Sequence, residues 1–165
     1  MSAVLTEPLK RVTLWVRDVE ASLALYRDAL GLEVLEDKQI GGPQIARMVG
    51  LEQATLRIVH LGPRGATHGW VGLYAISNTA PRPMAALPAP TGFPLYGQAT
   101  LVFTTGQMTE AVARLREVPG VRLVTEPTEY HKAVASEAMP AGYYSEVIFF
   151  DPDGVPVALS GYRPA

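Results

Sequence analysis

The sequence predicts an α+β fold of two tandem βαβββ modules, and three observations predict it. One order of period-2 and period-3.6 segments occurs twice along the chain. Matching residues stand at nearly constant offsets: 87 from Arg11 to Gln98 and from Thr13-Leu14 to Thr100-Leu101, 89 from Gly31 to Gly120, and 86 from Val71 to Val157 and from Leu73 to Leu159. A proline-rich stretch, APRPMAALPAPTGFP at 80–94, divides the chain nearly in half and reads as a stiff extended linker. The modules are therefore placed at 8–79 and 95–163, within one compact domain overall.

In RVTLWV, from Arg11, Val12, Leu14 and Val16 alternate with Arg11, Thr13 and Trp15, as in a strand with two different faces. Asp18 is placed to cap a helix through VEASLALYRDAL, with Val19, Leu23, Tyr26 and Leu30 at helical spacing and Gly31 as its stop. LEVLEDK is the next strand. A helical turn follows Gly41-Gly42-Pro43 at Ile45 to Val49, and strands follow at ATLRIVHL and GWVGLYAIS. In the second module QATLVFTT, from Gln98, reads as a strand, MTEAVARLREV as a helix ended by Pro119-Gly120, and VRLVTEP as a strand. The segment from Thr128 to Ala141 reads as irregular. YYSEVIFF and VPVALSGY form a hairpin around Asp151-Pro152-Asp153-Gly154, whose acidic residues are read as turn chemistry.

Composition narrows the function classes. A formal net charge of -2 supplies no basic field of the kind that nucleic acid or an anionic membrane requires. The absence of cysteine excludes disulfides, thiolate metal sites and a cysteine nucleophile. No apolar run approaches the ~18 residues of a membrane span, so a soluble cytoplasmic protein is the default expectation.

Alternation also picks out a candidate site. If Val12, Leu14 and Val16 pack under the helix, Arg11, Thr13 and Trp15 face the other way, and Gln98 and Thr100 follow by the repeat. Tyr74 and Trp70 share the face of Gly72, and Ser160 that of Ala158. Aromatic walls with a few polar anchors make up a small-molecule pocket. His131, Tyr144 and Glu146 join the set as candidate donors around the irregular segment. An alternative for Arg11 is a structural ion pair with a carboxylate at the sheet edge. No two of the three histidines have metal-ligand spacing.

VRDVEASLALYRDALGLE at 16–33 and FFDPDGVPVAL at 149–159, in this order, carry a resemblance to the vicinal oxygen chelate superfamily of glyoxalases, bleomycin-resistance proteins and extradiol dioxygenases. The resemblance implies that the modules form a curved mixed sheet around a cleft. It also implies where a divalent metal would be held, at Arg11, Gly72, Gln98 and Ala158. Only Gln98 among these could ligate, so no metal and no cofactor are expected. The leading reading is a metal-free protein that binds a small aromatic or carbonyl- or carboxylate-bearing molecule. A second is a metal-independent isomerase, lyase or cyclase with Arg11 as electrophile, and a third is a metal-dependent glyoxalase- or dioxygenase-type enzyme. Exposed sheet edges lead to the expectation of a homodimer.

Overall fold

The computed structural model describes residues 6–77, 94 and 96–165. The proline-rich linker of 80–94 lies outside the described residues apart from Pro94. The chain divides into two compact units, Met1–Pro83 and Met84–Ala165. Each contains its own mixed sheet, in keeping with the α+β fold of two βαβββ modules that the sequence predicts. Among the described residues no helix is long and apolar enough to cross a membrane.

The first unit runs β1 (Arg11–Trp15), α1 (Val19–Leu23), β2 (Glu33–Gly41), α2 (Pro43–Met48), β3 (Thr55–Gly62) and β4 (Trp70–Ser77). Its strands lie in the order β1-β4-β3-β2, with β1 parallel to β4 and the other pairs antiparallel. Asp18 starts α1 as expected, its carboxylate accepting from the backbone N–H groups of Glu20 (2.9 Å) and Ala21 (3.4 Å). The helix does not continue as an ideal α-helix to Leu30. It widens into a π-helical turn over Ala24–Ala29, where the Leu30 N–H donates to the Leu25 carbonyl at 2.9 Å. The extra residue in the turn lets the adjacent Leu25 and Tyr26 both become fully buried. The core on this side is Leu14, Val16, Val59, Leu61, Val71 and Leu73. Each such side chain, fully withdrawn from water, contributes about 1.5–3 kcal/mol of transfer free energy. Val12, expected to pack with them, stands on the outer rung and stays 37% exposed. On the opposite face α2 brings Ile45 and Val49 against Leu56, Ile58 and Tyr74, covering one end of that face.

The second unit runs β5 (Leu101–Thr104), α3 (Met108–Glu117), β6 (Arg122–Leu123), β7 (Thr128–Lys132), β8 (Gly142–Phe150) and β9 (Pro156–Arg163). β5 is parallel to β9, β9 is antiparallel to β8, and β6 and β7 pair with successive parts of β8. The strand expected over VRLVTEP shrinks to two residues, and the segment expected to be irregular opens with β7. Val124 and Thr125 both donate to the Ile148 carbonyl (2.8 and 3.3 Å), a bulge that breaks the ladder, and Pro127 has no N–H with which to resume it. Asp151, nearly fully buried, accepts from the N–H groups of Asp153 (2.9 Å) and Val155 (2.7 Å), which confirms its role in shaping the hairpin.

The ladders also align the two modules. Val12 pairs with Val71 as Leu101 pairs with Val157, so the first strands correspond at an offset of 89 (101 − 12). The helix caps Asp18 and Gln107 agree, again at 89 (107 − 18). The counterpart of Arg11 is therefore Thr100, and not Gln98.

Candidate functional site

Strand pairing assembles one face of the first sheet, on the side away from α1. Along one rung lie Thr13, Gly72, His60 and Glu36, along the next Trp15, Tyr74, Ile58 and Lys38, and Arg11 pairs with Trp70 at the rim. Gly72 stands at the centre, and the space above it is filled by its neighbours. A Cβ at Gly72 would lie 3.0 Å from Tyr74 Cε1, 3.4 Å from Arg11 Cδ and 3.5 Å from His60 Cδ2.

A chain of polar contacts crosses this face. His60 Nδ1 lies 3.0 Å from Glu36 Oε2, and His60 Nε2 lies 3.2 Å from the Tyr74 hydroxyl. With a carboxylate at Nδ1, the neutral ring carries its proton there, so Nε2 accepts from the Tyr74 hydroxyl. The second Glu36 oxygen accepts from Lys38 Nζ at 2.8 Å, and this bond, ahead of any other influence, holds the Glu36 carboxyl below its usual pKa and keeps it ionised. Trp15 meets Tyr74 edge-on, with ring centroids 5.6 Å apart, and Trp70 flanks His60 at 5.7 Å. The Arg11 guanidinium lies 5.7 Å from the Tyr74 ring, and its Nε donates to Thr13 Oγ1 at 3.4 Å.

His60 is only 8% exposed. Burial pushes the imidazole below its ordinary 6.5, the Arg11 guanidinium adds to that shift, and the Glu36 carboxylate opposes it. Because the folded state disfavours the proton, this contribution to stability is fully present above 6.5 and is lost as pH falls through the lowered native value. Melting temperatures measured downward from neutral pH should therefore decline across this window, and His60→Gln should flatten that part of the profile. An unchanged slope in the variant would assign it to another group.

The residues present do not fit a divalent metal. At the positions where the resembled family places its ligands, Gly72 and Ala158 have no donor and Arg11 presents a cation that does not deprotonate. Among the described residues no three His, Asp or Glu side chains converge on one point.

In the second unit Tyr144 and Glu146 share a face with Tyr130, Ser160 and Tyr162. Glu146 Oε1 accepts from the Tyr130 hydroxyl (3.1 Å) and from Ser160 Oγ (3.4 Å), while Tyr130 stacks on Tyr144 with centroids 5.4 Å apart. His131 projects from the other face, where it packs against the Tyr143 ring at 4.7 Å. Tyr143 also lines an open groove of about 900 Å³ beneath α3, together with Met108, Arg116 and Arg163. Gln98 and Thr100 precede β5, so strand alternation does not orient them.

The structure thus brings Arg11, Thr13, Trp15 and Tyr74 together in one unit, and Tyr144 and Glu146 together in the other. Sequence reasoning missed Glu36 and assigned no place in the site to His60.

The profile of the Glyoxalase/Bleomycin resistance protein/Dioxygenase superfamily matches residues 9–159. A search of curated proteins found no match. Among solved structures, a glyoxalase family protein from Bacillus cereus superposes with a TM-score of 0.77 at 19% identity, covering 98% of each chain. A glyoxalase/dioxygenase from Nostoc punctiforme gives 0.60 at 18% identity over 99% of each chain. A glyoxalase I mutant from Zea mays gives 0.57 at 18% identity, covering 92% of this chain and 45% of its own. At these identities the likeness concerns the fold.

Proposed function

The chain belongs to the glyoxalase/bleomycin resistance protein/dioxygenase superfamily, and from that premise we propose that it binds, without a metal, a small aromatic molecule bearing a carboxylate or carbonyl group on the face of its first sheet that carries Arg11 and Trp15. The observation that carries this reading is the state of Arg11. Among the described residues no carboxylate lies within ion-pair distance of it, and its one hydrogen bond is the long contact from Nε to Thr13. A structural arginine at a sheet edge is normally paired. Here the outer nitrogens of the fork are left for a ligand, and a guanidinium recognises a carboxylate bidentately.

Trp15, 54% exposed, supplies apolar surface beside that fork, backed by the buried Tyr74 ring that it meets edge-on. An aromatic group laid against Trp15 would lose water while its anionic end met Arg11. The ligand class follows from this pairing of a cation with an aromatic wall.

Titration calorimetry with phenylpyruvate and with its uncharged analogue phenylacetone tests the reading. A charge-assisted hydrogen bond of about 1.5–3 kcal/mol corresponds to about a ten- to hundredfold preference for the carboxylate. Equal affinities would remove Arg11 from the site, and failure of both compounds to bind would overturn the proposal.

A further inference from the structure

We propose that Tyr74, His60 and Glu36 form a proton relay that makes this face a metal-independent enolising catalyst, in which Tyr74 takes a proton from the carbon beside a substrate carbonyl and Arg11 holds the enolate oxygen. The proposal rests on the binding reading above and deepens it from recognition to reaction. Its substrates are aromatic 2-oxo acids and similar compounds with an acidic C–H next to a carbonyl group.

The geometry supplies each part. Glu36 fixes the His60 ring with the proton on Nδ1, which leaves the Nε2 lone pair 3.2 Å from the Tyr74 hydroxyl. This is the order carboxylate, imidazole, hydroxyl by which a weak acid is made into a base. Packing alone does not call for it: a phenylalanine at 74 would fill the apolar space beside Leu56 and Ile58, and the hydroxyl adds only the bond to His60. Arg11 reaches over the same ring, so a carbonyl oxygen held by the guanidinium stands beside the phenol.

In the forward step the substrate C–H bond breaks and its electron pair becomes the C=C bond of the enolate. The carbonyl π pair moves to the oxygen facing Arg11. The proton joins the Tyr74 oxygen while the phenolic proton passes to His60 Nε2, and Glu36 stabilises the imidazolium. Return of the proton to the oxygen gives the enol, and return to carbon gives the ketone. Nothing is oxidised or reduced and no co-reactant is consumed. Tyr74 is the catalytic residue, and Glu36, acting through His60, is a positioning residue. The charged groups facing His60 are Arg11 from β1 and Glu36 and Lys38 from β2.

The test follows loss of the C3 proton signal of phenylpyruvate in D2O by NMR, with calorimetric binding of the same compound and thermal unfolding measured in parallel. Wild-type protein should accelerate exchange over buffer by about a hundredfold or more. Tyr74→Phe, which keeps the ring, should bind phenylpyruvate but exchange at the buffer rate. Glu36→Gln should slow exchange at least about tenfold and move the acid limb of its pH profile to lower pH, because the carboxylate that raises the imidazole is gone. Binding with exchange at the buffer rate in the wild type, or undiminished exchange in a folded Tyr74→Phe variant, overturns the relay and leaves the binding reading standing. Failure of the wild type to bind overturns both.

Discussion

Gly72→Glu, which restores a carboxylate where the family places a metal ligand, is expected to weaken phenylpyruvate binding on the order of a hundredfold or more without creating a metal site. The new carboxylate would stand beside Arg11, whose Cδ lies 3.4 Å from a Cβ at this position, and would occupy the fork intramolecularly. It would also repel an anionic ligand. The steric cost is separate and smaller. The closest atom, Tyr74 Cε1 at 3.0 Å, belongs to a ring that can shift by a few tenths of an ångström, for about 1 kcal/mol of stability. Gly72→Ala imposes the same Cβ without the charge. The alanine variant should therefore bind within a few-fold of wild type, and a loss as large as that of glutamate would mean that shape, and not charge, governs the site. Binding retained in a folded glutamate variant would remove the ligand from this face.

The elements of both modules are largely legible in the sequence because their apolar residues follow one clear period. Leu14 and Val16 on β1, and Val147, Phe149, Val157 and Leu159 on the closing hairpin, are buried as alternation requires. Where the period is disturbed the reading fails. The bulge at Val124 and Thr125 hides β7, and the π-helical turn after Leu23 hides the burial of Leu25.

The site is less legible, for two physical reasons. Alternation is blind to a shift of two residues, which leaves every side chain on its original face. The matching Thr-Leu pairs at 13–14 and 100–101 therefore suggested Gln98 as the partner of Arg11, whereas strand pairing gives Thr100. The second reason concerns Glu36 and His60. β3 is apolar on both faces, so the run of Ile58, Val59, His60 and Leu61 carries no facial signal. The register of β2 slips by one between Val34, which pairs with Leu61, and Glu36, which pairs with His60. Alternation counted from Val34 would place Glu36 under the helix. Only the ladder shows it beside the imidazole.

Whether the Arg11 guanidinium holds the ligand is tested most directly by calorimetric titration of phenylpyruvate into wild-type protein and Arg11→Ala. Arg11 has no carboxylate partner among the described residues, so its removal leaves no buried charge behind and should leave the melting temperature within a few degrees of wild type. Affinity should fall about ten- to a hundredfold, the equivalent of about 1.5–3 kcal/mol. Arg11→Lys should recover only part of it, since lysine keeps the charge and loses the fork. Unchanged affinity in Arg11→Ala, or a variant that no longer folds, would contradict that role and make the arginine structural.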